Sequence, residues 1–537
     1  MHSAFVSYIY LFLAIVFLVM LARKIKISYP IVLVLGGLML SYIPSLSKIE
    51  IDPELIFLIF LPPLLYEAAW ETSWKEFWKW RRVITSFAFI IVIVTSCVIA
   101  YCSHLLIPGF SLALGFLLGG IISPPDAISA TTVMKDVKVP KRVVSIVEGE
   151  SLMNDASSLV VFRFALIAVE TGMSIWTKAI TSFCLVIVMG IVVGLVIALI
   201  FYAIHRWLPT TPITDIVLTF VTPYVMYSVA EQFHFSGVLA VVSGGLFLSH
   251  HQHRILSHLS RIQGLNVWST VCFVLNGLVF LLIGLQLPVI VAEFTGAELR
   301  DAIRYSVVIS VVLIVSRIAC TFGASVFTVF ISRFITTADA HPGWKGPLIL
   351  GWAGMRGVVS LAAALSIPLV LPNGLPFPHR NLILFITFAV ILITLVFQGL
   401  TLPLIIKWVN MEDRDHTMSE EEQDKMLRKE TAKLSLALLT DKYTVEANEN
   451  GYLSSLKSKL EVEIADLSKV HESEHEEKLE LHLGHRYQHV YREVIEKQRT
   501  FLHEMNKKAE LDEEIIRKHL SLLDLEEEKL RRRFEES

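Results

Sequence analysis

Charge is what most of this sequence lacks. Of 537 residues, 18% are charged and 54% hydrophobic, the mean hydropathy is +0.60, and the charged residues thin out before Trp408 and crowd the stretch after it. So apolar a chain excludes a soluble protein built around one core and implies a polytopic membrane protein. Cysteine is also scarce. Cys97, Cys102, Cys184, Cys272 and Cys320 are scattered through apolar segments without metal-ligand spacing, so they read as small hydrophobes rather than as a disulfide framework. There is no Gly-rich phosphate loop, nucleophile elbow or zinc motif where it could fold as required, which argues against an enzyme and calls for no cofactor. The charged tail mixes both signs and forms no basic stripe, which argues against nucleic-acid binding.

What the sequence does have is long apolar runs. Cut at polar or Pro/Gly-marked breaks and scaled to roughly 17 to 25 residues per crossing, they give about thirteen helical spans: near 5–22, 29–46, 53–70, 83–107, 111–134, 143–170, 176–203, 213–231, 236–249, 266–288, 303–331, 346–370 and 382–408. The run Phe5 to Ala22 lacks the basic n-region and cleavage site of a signal peptide and is kept as the first span. An odd number places the termini on opposite sides. Lysine and arginine collect at Arg23–Lys26, in predicted loops Lys75–Arg82, Lys135–Arg142 and His250–Arg261, at Arg206, and between Arg333 and Lys345. That bias predicts an outside N-terminus and a cytoplasmic C-terminus. Residues 1–409 are thus expected to form a transmembrane domain and 410–537 a cytoplasmic helical tail. In the tail, stretches near Glu420–Thr440, Leu453–Leu483 and Tyr487–Arg533 carry intermittent apolar positions such as Leu456, Leu460, Ile464 and Leu467.

Two spans are interrupted. The fifth contains Ser123-Pro124-Pro125-Asp126, whose prolines remove backbone donors, and the twelfth contains Gly351-Trp352-Ala353-Gly354-Met355-Arg356-Gly357. Unwound backbone at membrane depth survives only where protein or a watery cavity surrounds it. The breaks lie seven spans apart, an odd offset, so spans 1–6 and 8–13 read as two six-helix inverted repeats. Paired discontinuous helices of this kind point to a transporter's midplane site.

The sixth span carries the most expensive residues. Glu150, Ser151, Asn154 and Asp155 fall within six positions of a membrane-hydrophobic helix, where an acid costs about 2.5–3.5 kcal/mol on an insertion scale. Their spacing stacks Ser151 on Asp155 and Glu150 on Asn154. Such a patch of carboxylate, hydroxyl and amide oxygen suits a hard monovalent cation, with Asp155 and Ser151 as its metal-binding side chains, and does not choose among Na+, Li+ and K+. Arg317, alone in an apolar run, needs a carboxylate, and Glu150 is its natural partner. Arg356 is expected among the carbonyl ends of the broken helices or snorkelling to the cytoplasm. Asp126 could contact an ion through water or cap a half-helix. Glu67 and Glu148 could line an ion funnel or stand at the interface. His250, His251, His253 and His258 suggest a pH or metal site but sit in a predicted loop without companion ligands.

At these residues the chain resembles the cation:proton antiporter-1 family, the sodium/proton exchangers of bacteria, archaea and eukaryotes. The resemblance is carried by Phe60-Leu61-Pro62-Pro63 with Glu67, Pro124-Pro125-Asp126, the block Glu148-Gly149-Glu150-Ser151-Leu152-Met153-Asn154-Asp155, Arg317, Gly354-Met355-Arg356-Gly357-Val358-Val359-Ser360, and Gln398-Gly399-Leu400-Thr401. It implies a homodimer in the cell membrane. A mobile core domain (about 83–170 and 303–408) would slide against a dimerisation domain (about 5–70 and 176–288). It implies that Asp155 carries the cation or proton, that Asn154 and Ser151 support it, that Glu150 pairs with Arg317, and that Asp126, Arg356 and Glu67 hold supporting positions. Many members have a small hydroxylated residue where Pro125 stands. A backbone carbonyl ligand at Pro125 survives that change, whereas a side-chain hydroxyl does not. Asn154 is neutral where electrogenic relatives carry a second acid, which implies one cation per proton. The expected activity is electroneutral exchange of Na+, or Li+ or K+, for protons by competition at Asp155. A cation channel, or a sensor signalling through the tail helices, is the alternative.

Overall fold

The computed structural model describes residues 2–43, 58–134, 137, 139–172, 176–292, 294–331, 343–411, 420–443, 450–468 and 490–502, with scattered positions out to 529. Contacts divide the chain into two compact units, Met1–Asp413 and Arg414–Ser537. The described residues are helical and form no strand beyond one isolated bridge, Val370 with Pro376.

In the first unit, helices occupy each of the thirteen predicted stretches. They are α1 (His2–Ile25), α2 (Tyr29–Leu40), α3 (Leu61–Glu71), α4 (Trp74–Leu106), α5 (Leu112–Ile122), α6 (Ala127–Met134), α7 (Lys141–Thr171), α8 (Trp176–Trp207), α9 (Pro212–Gln232), α10 (Gly237–Ile255), α11 (His258–Val291), α12 (Gly296–Ile331), α13 (Lys345–Trp352), α14 (Val358–Leu365) and α15 (Arg380–Val409). Eight segments are long and apolar enough to cross a membrane among the described residues, α5 with α6 counting as one. The predicted residues 44–57 and 332–342 lie outside the described ones.

Two predicted loops are helical instead. Lys75–Arg82 forms the first turns of α4, where Ser73 caps the helix by accepting from the Glu76 N–H at 3.5 Å and Trp80 is buried. The Ser-x-x-Glu signature of a helix start stood in the sequence there. His250, His251 and His253 extend α10 to 19 residues, so the stretch 236–249 is longer than it reads, and His258 opens α11. His250 meets the ring of Trp74, and His251 meets Tyr202 and Phe247. No group of three or more metal-ligating side chains occurs among the described residues.

Two π-helical turns interrupt otherwise regular helices, at Ser86–Ile91 in α4 and at Thr394–Gln398 in α15. Neither has a sequence signal, and both lie against the site: Ser157 of α7 donates to the Ala88 carbonyl at 2.5 Å, and Thr394 accepts from the Arg356 N–H at 3.2 Å. Such turns are frequent at functional positions. A buried network missing from the sequence reading ties α8, α9 and α11: the Asp215 carboxylate faces His205 Nδ1 at 2.9 Å and accepts from Ser260 at 2.7 Å. In the second unit, α16 (Glu420–Asp441) packs on α17 (Gly451–Leu467), with Arg428 donating to Glu463 at 3.1 Å. The rest of the predicted tail helices lies largely outside the described residues.

Candidate functional site

Both interrupted spans come apart where their sequences predict. Pro124 and Pro125 separate α5 from α6; Ala353–Gly357 separates α13 from α14. The unwound segments meet. The Asp126 N–H donates to the Met355 carbonyl at 2.7 Å, joining one break to the other through backbone.

Each break exposes one negative and one positive helix end, because a helix carries partial negative charge on its last carbonyls and partial positive charge on its first N–H groups. The two charged residues of the breaks divide these ends between them. Arg356, fully buried, donates from Nε to the Ile122 carbonyl at 2.8 Å, from NH2 to the Ser123 carbonyl at 3.2 Å, and from NH1 to the Gly354 carbonyl. It therefore sits on the C-terminal ends of α5 and α13. Asp126 takes the opposite ends. Its carboxylate accepts from the Ile128 N–H at 3.1 Å and from the Ser129 hydroxyl at 2.8 Å in the first turn of α6, and it lies so close to Gly357, which precedes α14, that a methyl group there would force it to shift. Ser151 of α7 adds a cap by accepting from the Ala127 N–H at 3.1 Å.

Arg317 and Glu150 form a two-pronged pair, with both N···O distances 2.8 Å and both residues at most 2% exposed. The guanidinium also reaches the Leu350 carbonyl at 3.3 Å. The pair joins α12 to α7 and stands clear of the cavity described next.

That cavity has a volume of about 350 Å³. Glu148, Ser151, Leu152 and Asp155 line it from one face of α7, at the three- and four-residue spacing that puts side chains in a row. Pro124, Pro125 and Asp126 line it from the first break, Gly357 and Ser360 from the second, Glu67 and Glu71 from α3, and Ser269, Cys272 and Asn276 from α11. Exposure grades along it: Glu71 is exposed, Glu67 and Glu148 are half-buried, and Asp155 is buried. The cavity thus runs from an acidic mouth to a carboxylate at depth.

The two deep acids differ in one respect. The Asp126 carboxylate is occupied by capping donors, whereas no donor to the Asp155 carboxylate is found among the described residues. Asn154 reaches the first break. Its Nδ2 donates to the Pro125 carbonyl at 2.8 Å and its side chain does not line the cavity. It fixes that carbonyl, and its own Oδ1 meets no donor among the described residues. The Pro125 oxygen keeps a second lone pair for another contact.

A polytopic helical bundle with two unwound segments that meet at a buried acidic cavity defines the class of secondary transporters. Residues 10–408 match the model of the transmembrane sodium/hydrogen exchanger family, and the chain belongs to that family. It is 34% identical over 391 residues to a sodium, potassium, lithium and rubidium/H+ antiporter of Bacillus pumilus, an alignment covering 71% of this chain and 58% of that protein. It is 31% identical over 439 residues to the uncharacterized Na+/H+ exchanger YjcE of Escherichia coli, covering 79% and 80%. Among solved structures, the sodium proton antiporter MjNhaP1 of Methanocaldococcus jannaschii aligns with a TM-score of 0.59 at 20% identity, covering 76% of this chain and all of that one, and so shares its fold.

Proposed function

We propose that this protein exchanges a monovalent cation for protons across the cell membrane, with Na+ the first candidate and Li+ or K+ the others. One observation carries the reading: the Asp155 carboxylate lies buried at an acidic cavity with no donor to it among the described residues, while every other charged group at the breaks is held by a partner. A buried carboxylate without a partner must hold a proton or a cation, because leaving it bare costs far more than either. One group that holds one or the other is the minimum machinery of exchange.

In this mechanism Asp155 and Ser151 contribute side-chain oxygens to the cation and Pro125 its carbonyl. Asn154 fixes that carbonyl. Asp126 and Arg356 stabilise the four helix ends, so that the unwound backbone persists without a bound charge. Glu67 and Glu148 attract the cation toward the site, and Glu150 with Arg317 locks α7 to α12. Spans 83–170 and 303–408 move as a core against 5–70 and 176–288 in a homodimer, exposing Asp155 to the two sides in turn. The two halves of the transmembrane unit are inverted repeats, and the Lys/Arg-rich side with the tail is cytoplasmic. One cation moves per proton, since only Asp155 changes its charge.

The test is purified protein in liposomes holding a pH dye, given Na+, Li+ or K+ across a pH series. Saturable, cation-driven proton flux independent of membrane potential is expected in the wild type and absent in Asp155→Asn. A cation current without proton coupling would establish a channel instead, and full flux in Asp155→Asn would refute the site.

A further inference from the structure

Resting on the exchange reading above, the geometry points to a further cation ligand on the wall of the cavity formed by α11. We infer that the side-chain amide oxygen of Asn276 contacts the passing cation and sets its affinity and selectivity.

Ser269, Cys272 and Asn276 recur at three- and four-residue spacing, so one stripe of α11 faces the cavity that Asp155 faces from α7. Within that stripe Asn276 is 6% exposed, and its Oδ1 meets no hydrogen-bond donor among the described residues. Buried amides are nearly always paired, and one that is not asks for a partner the protein itself does not supply. The chemistry of that partner follows from the place. The amide presents either oxygen or nitrogen to the cavity by a half-turn of its terminal torsion. In a space shared with Asp126 and Asp155, a cation draws the oxygen inward. A thiol one turn away, at Cys272, is too soft to serve a hard monovalent ion, which leaves the amide as the suitable ligand on this part of the stripe.

The amide also suits the exchange arithmetic. It adds an oxygen without adding a charge, so it strengthens cation binding relative to the proton-loaded state while leaving one charge exchanged per cycle. Its position matters too. Asp155, Asp126 and Ser151 belong to the proposed moving core, whereas Asn276 belongs to the other group of helices. Sliding one past the other then makes or breaks this contact, and cation release is coupled to the motion.

The experiment uses full-length protein in liposomes with a pH dye, pulsed with NaCl, LiCl or KCl. Asn276→Leu keeps the bulk and removes the oxygen. It is expected to raise the cation KM about tenfold, to hold the saturating rate within about twofold, and to change the order of the three ions. Asn276→Asp, which keeps an oxygen at the same reach, is expected to retain a KM near or below that of the wild type. The inference is overturned if Asn276→Leu leaves KM and ion order unchanged, if it lowers only the saturating rate, or if Asn276→Asp raises KM as much as Asn276→Leu. Where Asn276→Leu does not accumulate, Asn276→Gln displaces the oxygen by one methylene and must alter the ion order; an unaltered order overturns the inference. Failure of the exchange reading looks different, because the wild type would then show no cation-driven proton flux.

Discussion

Replacing Glu150 with Gln removes one half of a buried ion pair while preserving its shape. In the native protein both oxygens of Glu150 receive the Arg317 guanidinium at 2.8 Å, with neither residue more than 2% exposed. The variant leaves the buried guanidinium without its countercharge: the amide oxygen can still accept one bond, but the amide NH2 opposes a second donor, and the other contact is the Leu350 carbonyl at 3.3 Å. Breaking a pair of this kind costs about 3–5 kcal/mol, mostly through the uncompensated charge, which is about a hundred- to several-thousand-fold in the unfolding equilibrium. Arg317→Met should cost a similar amount by stranding Glu150. The double variant Glu150→Gln, Arg317→Met should be no less stable than either single, recovering at least about 3–5 kcal/mol of the summed loss, because a neutral replacement of both partners is often tolerated. Equilibrium unfolding of purified protein in mixed micelles, followed by tryptophan fluorescence, measures all three. Single variants within about 0.5 kcal/mol of the wild type, or a double variant equal to the sum of the singles, would refute the pairing as a structural lock.

Three further outcomes follow from the joined breaks and the cavity. Arg356→Lys keeps the charge but loses the fork that reaches the carbonyls of Ile122, Ser123 and Gly354; a loss of about 2–4 kcal/mol of stability is expected by the same unfolding assay. Gly357→Ala drives a methyl group into the Asp126 carboxylate, so cation-driven proton flux should fall at least about tenfold while the protein still inserts and purifies; unchanged flux contradicts the contact. Cys272 lines the cavity. Its neighbour on the same stripe, Ser269, is exposed; in a variant carrying Ser269→Cys as the sole cysteine, a small water-soluble methanethiosulfonate reagent should inhibit exchange, and Na+ should slow the labelling, as read by mass spectrometry.

Much of the fold could be read from physical cost. Pro124 and Pro125 cannot donate to a helix ladder, so the fifth span had to open there; Arg317 could not stand alone in an apolar run, and the structure sets it against Glu150. The start of α4 was misread because Trp74–Arg82 carries five charges in nine residues that look like a loop, although the cap at Ser73 was legible. The site was legible in its acids and less so in its neutral groups. Asn154, next to Asp155 in sequence, turns away to Pro125, whereas Asn276, more than a hundred residues on and undistinguished among the apolar residues of α11, faces the cavity. Sequence spacing along α7 identifies its own face, but which residue of another helix meets that face depends on packing that no local pattern encodes. The π-helical turns and the network of His205, Asp215 and Ser260 stayed hidden for the same reason.

The central claim is that cation and proton compete for Asp155. It is tested most directly by proton release when Na+ is added to purified protein in weakly buffered detergent solution, with bound Na+ measured in parallel. The account predicts close to one proton released per Na+ bound under conditions where the group is protonated beforehand, and none from Asp155→Asn. Na+ binding without proton release, or undiminished release from Asp155→Asn, would contradict it.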